Sequence, residues 1–185
     1  MTNIYMVTSN YEKGVESAMI LSRFGLNLVV INEAISEALS VDVDEIIKKK
    51  AVSAFQIVGR PVFVEHGGLY IDALEGLPGG LSKPIVHILK EKICKLIPSD
   101  ESRNAMARLC IAYCDGRKIH TFDGRIKGKI ALEPKGQRDY YYDSIFIPDG
   151  CNQTFAEMTR EEKNRISHVR EAYSLFGEFL TRHKP

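Results

Sequence analysis

The sequence predicts an α/β protein, a sheet with helices packed on it, and three observations carry that reading. Strand-forming runs alternate with helical patterns from Asn3 to Val64. Two Asp-Gly pairs then punctuate a run of candidate antiparallel strands. The composition, 185 residues of which 44% are hydrophobic, suffices for one substantial core, so residues 1–185 are read as a single domain.

The elements follow in order. Asn3 to Ser9 is a short apolar run rich in strand formers. Asn10 is placed to cap a helix carrying Val15, Ala18 and Met19, and Gly25 to stop it. Leu26 to Ile31 is a second strand, after which Asp42 and Glu45 stand at capping-box spacing. The helix behind them shows Ile47, Ala51, Ala54, Phe55 and Val58 on one face and is ended by Pro61. Val62 to Val64 is a third strand, which places Glu65 to Leu69 at its end. Gly76 to Gly80 is a turn-rich break, and Ile85, Ile88, Leu89, Ile93 and Leu96 mark an amphipathic helix. Ala105 to Tyr113, Lys118 to Phe122 and Arg125 to Leu132 are strands separated by turns at Asp115-Gly116 and Asp123-Gly124. Ser144 to Ile147 is a last strand. One helix begins near Thr159, with Glu162 at capping-box spacing and a stripe of Ile166, Val169, Tyr173, Phe176 and Leu180.

Charge and composition exclude several function classes. With 25 basic and 24 acidic side chains the net charge is +1, so the broad positive field of a nucleic-acid coat is absent. No apolar run approaches the roughly 20 residues that cross a bilayer, and the first ten residues lack the pattern of a signal peptide, so a soluble, cytoplasmic protein is expected. Cys94, Cys110, Cys114 and Cys151 form no C-x-x-C pair, and the five histidines form no H-x-x-x-H pair. Metal chemistry would therefore rest mainly on oxygens. Thr8, Ser9, Asn10 and Lys13 put hydroxyls, an amide and an ammonium beside a helix N-terminus, where free N–H groups attract anions such as phosphate. There is no P-loop.

Other segments extend this. Glu65-His66-Gly67-Gly68-Leu69, Ala73-Leu74-Glu75-Gly76-Leu77-Pro78-Gly79, Lys135-Gly136 with Tyr140 to Asp143, and Thr154-Phe155-Ala156-Glu157-Met158 with Glu162-Lys163-Asn164 and Ser167-His168 follow Val7-Thr8-Ser9-Asn10 and Lys13 in register. In this order and spacing the chain resembles the inosine triphosphate pyrophosphatase family from Val7 to Phe179. The resemblance implies a two-lobed fold with a long curved mixed sheet, a nucleotide cleft between the lobes, and a homodimer. It implies hydrolysis of inosine, deoxyinosine or xanthosine triphosphate, or of a modified purine, to monophosphate and pyrophosphate with Mg2+, Mn2+ being the alternative ion. Such chemistry needs carboxylates for the metal, cations on the triphosphate and a base for water. Carried over by motif, Thr8, Ser9, Asn10, Lys13 and Lys50 would hold phosphates, and Glu37, with Glu33 as fallback, would hold the metal. Glu65, His66 and Gly67 occupy the catalytic segment. Tyr140, Tyr141 and Tyr142 would wall the base, and Asp143, Lys163, Ser167 and His168 would line its pocket.

Three positions depart from the family pattern. His66 stands where the family has its catalytic aspartate. Imidazole can act as a general base but is a poor ligand for hard Mg2+. Three readings follow: His66 as working base with Glu65 and Glu37 serving the metal, a changed metal or reaction, or nucleotide binding without hydrolysis. Val169 replaces the arginine of Ser-His-Arg, and Arg170 is one residue, about 100° of helix, too late to stand in for it. Tyr141 replaces a glycine between two aromatic positions. All three departures fall on substrate chemistry, which favours altered specificity; another purine-nucleotide hydrolase on the same scaffold and a non-catalytic nucleotide-binding protein are the alternatives.

Overall fold

The computed structural model describes residues 2–89, 92–137 and 142–183. Strand β1 (Thr2–Val7) leads through Asn10, whose side chain accepts from Lys13 N, into helix α1 (Tyr11–Ser22). The expected helix is present; its buried face is Gly14, Ser17 and Leu21, while Val15 and Ala18 are half-buried and Met19 is exposed. Strand β2 (Leu26–Ile31) pairs in parallel with β1. Helix α2 (Val43–Val58) is capped by Asp42 accepting from Asp44 N, while Glu45 turns to Ser40 and Lys49, so no reciprocal box forms. It stops at left-handed Gly59 rather than at Pro61.

Strand β3 (Val62–Ile71) is ten residues long, and Glu65 and His66 lie in its interior rather than at its end. Consecutive strand residues point to opposite faces, a consequence that governs the site. A single 3₁₀ turn (Asp72–Leu74) leads to the short strand β4 (Pro78–Gly79), which folds back on β3 behind a cis Leu77–Pro78 bond. The expected helix after it is described as α3 (Ser82–Leu89) and α4 (Lys92–Lys95), on either side of residues 90 and 91, and Ile88 of its apolar stripe is 72% exposed.

Strands β5 (Asn104–Cys114) and β6 (Ile119–Ile130) form a long hairpin across the Asp115-Gly116 turn. Asp115 accepts there from Arg117 N and Lys118 N. Asp123-Gly124, by contrast, is no turn: β6 runs through it without a break. Gly124 answers a packing demand instead, because a Cβ there would lie 1.8 Å from the His168 carbonyl. Strand β7 (Phe146–Pro148) closes that edge. The closing helix divides. Helix α5 (Arg160–Ile166) opens with the expected Thr159–Glu162 capping box, and extended Ser167 then starts helix α6 (His168–Arg182).

The strands form one seven-stranded mixed sheet in the order β2-β1-β3-β5-β6-β7, with β4 beside β3. Pairing is parallel from β2 to β3 and antiparallel beyond. Helices α1 and α6 cover one face of its first half through Leu21, Phe63, Leu109, Ile111, Phe176 and Leu180. Helix α2 covers the other through Ile47, Ala51, Val62, Val64 and Ala112. A third core gathers Leu69, Ile71, Val86, Ile93, Ala107, Phe146 and Phe155. The α1/α6 core ends on β3 at Phe63 and the third begins at Leu69, both odd-numbered and so on one face. The residues between them on that face are Glu65 and Gly67, the floor between two lobes. No helix among the described residues is long and apolar enough to cross a membrane.

Candidate active site

A cleft of about 370 Å³ opens at this floor, at the carboxyl ends of the parallel strands. It is lined by Thr8, Ser9, Asn10, Lys13, Glu37, Lys50, Glu65, His66, Gly67, Tyr142, Asp143, Lys163 and His168, which brings together most of the residues the sequence singles out. Glu33 also lines it, as do Ser82, Lys83 and Val169. Ser167 is not in the lining; buried, it caps α6 by accepting from Val169 N. Tyr140 and Tyr141 lie outside the described residues.

The β1–α1 turn is organised by its own side chains: Asn10 N donates to Thr8 Oγ1, and Asn10 in turn caps α1. This sets the N-terminus of a 12-residue helix at the cleft edge, where Asn10 and Lys13 line it. Lys13 Nζ lies 2.8 Å from Glu65 Oε1, and Tyr173 Oη donates to Glu65 Oε2 at 2.5 Å. Both carboxylate oxygens are thus engaged, and Glu65 is only 6% exposed.

The α2 face of β3 differs. His66 Nε2 lies 2.8 Å from the Gly80 carbonyl. A carbonyl only accepts, so Nε2 carries the proton and Nδ1 keeps a lone pair. Nδ1 is 3.9 Å from Glu37 Oε2. Burial pulls the imidazole pKa down; the Gly80 bond and Glu37 oppose this without reversing it. His66 is therefore neutral near pH 7. Gly80 reaches it because the chain there packs directly on α2: a Cβ on Gly80 would stand 2.5 Å from Ile46 Cδ1 and 2.8 Å from the Ser40 carbonyl. Lys50 Nζ donates to Glu37 Oε1 at 2.5 Å and to the Glu65 carbonyl at 3.2 Å. Burial raises the Glu37 pKa, but Lys50 outweighs it and the carboxyl ends below its ordinary value. Burial likewise lowers Lys50, with Glu37 holding the charge against it.

Across the cleft, Lys163 Nζ pairs with Asp143 Oδ2 at 2.5 Å. Tyr142 is packed against Phe146 and His168 rather than standing as an open wall, with its Oη 3.1 Å from His168 Nε2. Burial drives His168 down to about 3, and its buried Nδ1 has no hydrogen-bond partner among the described residues. Val169 both lines the cleft and packs on the α1/α6 core. The Ser82 hydroxyl accepts from Leu69 N and donates to the Gly79 carbonyl, pinning β4 and its loop, and sequence reasoning gives it no such role. That reasoning also misses Ser17 and reads Tyr173 only as core; the signal for Ser17 is its place four residues after Lys13, on the same helix face.

Among the cleft carboxylates that could hold a divalent cation are Glu37 and Glu65, with Glu33 also in the lining, oxygen ligands of the kind a hard ion takes alongside phosphate oxygens. A separate group, Asp44, Cys110 and Asp123, comes within 4.8 Å, but Arg108 binds both carboxylates and fills the place of a cation.

Comparison with known proteins agrees with this architecture. A dITP/XTP pyrophosphatase of Methanopyrus kandleri is 38% identical over 179 residues, 95% of each chain. An inosine triphosphate pyrophosphatase of Kluyveromyces lactis is 36% identical over 185 residues, covering 96% of this chain and 95% of its own. The structure of a HAM1 protein from Coxiella burnetii superposes with a TM-score of 0.87 at 26% identity, covering 98% of this chain and all of the other. The family model of the Ham1 family matches residues 4–179, and the chain belongs to that family.

Proposed function

We propose that this protein is a nucleoside triphosphate pyrophosphohydrolase acting on deaminated purine nucleotides of the dITP, ITP or XTP type. The observation that carries the reading is one cleft holding four lysines, Lys13, Lys50, Lys83 and Lys163, against Glu33, Glu37, Glu65 and Asp143. A net charge of +1 conceals this concentration of opposed charge, which suits a triphosphate with its counter-ion. The relatives named for dITP, XTP and inosine triphosphate supply the substrate class.

In this reading Thr8, Ser9, Asn10, the α1 N-terminus, Lys13 and Lys50 orient the phosphates. Asp143 and Lys163, with Tyr142 and His168, form the side that receives the base. Neutral His66, with Nδ1 unprotonated, takes the proton from a water that attacks the α-phosphorus, and pyrophosphate leaves. Glu37 and Glu65 would hold Mg2+, or Mn2+, whose chemistry is to neutralise phosphate charge. We take residues 1–185 as one two-lobed domain. The protein is a homodimer, a reading supported by exposed apolar side chains at Leu77, Ile88 and Leu132, and sedimentation tests it. Four free cysteines suit the reducing cytoplasm.

The test is pyrophosphate release from a panel of common and deaminated nucleoside triphosphates, first with Mg2+ and then with Mn2+. Turnover of dITP, ITP or XTP in preference to ATP and GTP is expected. No pyrophosphate from any member with either ion contradicts the proposal.

A further inference from the structure

Tyr173 and Ser17 are fully buried, at 0% and 1% exposure, and Tyr173 belongs to the apolar cluster under α1 and α6. The Tyr173 ring packs edge-on to Phe63 at 6.1 Å, a task phenylalanine would perform equally. A hydroxyl in such surroundings is costly unless it is bonded, so its partners disclose its purpose. Tyr173 Oη donates to Glu65 Oε2 at 2.5 Å and lies 2.5 Å from Ser17 Oγ. Ser17 Oγ therefore has one proton to share between Tyr173 Oη and the Lys13 carbonyl 2.6 Å away, and Lys13 Nζ returns to Glu65 Oε1 at 2.8 Å. The four residues close a ring through α1, β3 and α6. Two of its members, Lys13 and Glu65, face the cleft; the other two do not line it.

We propose that Tyr173, supported by Ser17, is a positioning residue that fixes the Glu65 carboxylate, and through it Lys13, in the orientation the cleft chemistry uses. The inference rests on the hydrolase reading above and adds to it a buried layer that touches no substrate. A donor on each oxygen sets the plane of the carboxylate, which would otherwise swing about its side-chain torsions, and outer partners of this kind tune metal affinity or rate by roughly 10- to 100-fold.

The experiment compares Y173F, E65Q and the double variant with the wild type, using whichever nucleotide the wild type turns over. Y173F is expected to lower kcat about tenfold with KM within about twofold. Because Tyr173 acts through Glu65, adding Y173F to E65Q is expected to cost nothing further. An unchanged kcat in Y173F, or the same loss repeated in the E65Q background, overturns the inference. A wild type that hydrolyses no nucleotide defeats the hydrolase reading alone; the comparison then uses Mn2+ affinity measured by electron paramagnetic resonance without nucleotide. There a loss of about tenfold in Y173F supports the positioning role, and equal affinity overturns it. Should Y173F not fold, S17A reports through the same ring, with a loss of about threefold expected and none contradicting it.

Discussion

Glu65 and His66 are consecutive on β3, yet they belong to two regions of different physical character. Glu65 faces α1 and α6, and both of its oxygens are held by Lys13 and Tyr173 inside a ring of buried groups. His66 faces α2, where one nitrogen is tied to Gly80 and the other looks across 3.9 Å to Glu37, itself one-third exposed. The first region is held by the hydrophobic core around it; the second is held by a loop and a partly solvated carboxylate. Change is therefore easier to absorb on the α2 side, and that is where the chain carries a histidine in place of the aspartate that its resemblance implies.

The largest effect expected from this contrast is on stability. E65A leaves the Lys13 ammonium and the Tyr173 hydroxyl without their shared acceptor, a loss of about 3 kcal/mol. H66A strips only one bond from the Gly80 carbonyl, so a loss of about 1 kcal/mol is expected. Thermal unfolding of the two variants checks the difference, and equal losses would break the comparison. For turnover, H66A is expected to lower kcat by a factor of about 100, or about 2.7 kcal/mol, with the fold retained. An unchanged rate would move the base elsewhere.

A smaller effect concerns acid. His168 titrates at about 3 in the folded chain against 6.5 as a free side chain, because it is buried. Below pH 6.5 the unfolded chain binds a proton that the folded chain does not, so stability falls with pH. Between pH 6.5 and 5 this amounts to about 2 kcal/mol, and H168N should flatten that slope in urea unfolding at the two pH values. Least is expected of K50Q, which frees Glu37 without burying a new charge; a rise in KM of about tenfold, near 1.4 kcal/mol, is the outcome in steady-state kinetics.

The sequence made the order of strands and helices, the α1 cap, the capping box at Thr159 and most of the cleft residues legible, because these depend on local spacing. What escaped it depends on contacts between distant segments. Asp123-Gly124 has the composition of a turn, but its glycine serves the start of α6 pressing on β6. The length of β3 is set by pairing with β5, and only that length shows that Glu65 and His66 face apart. Ser17 and Tyr173 are separated by 156 positions, so no local pattern could join them. His66 was visible as a substitution, while its tautomer required the Gly80 carbonyl, brought there by the packing of the loop against α2.

In the proposed reaction water attacks the α-phosphorus of a deaminated purine triphosphate. Turnover of dITP or ITP in 18O-labelled water, followed by mass spectrometry of both products, tests it directly. One labelled oxygen is expected in the nucleoside monophosphate and none in the pyrophosphate. Label in the pyrophosphate, or release of orthophosphate with a nucleoside diphosphate, would contradict it.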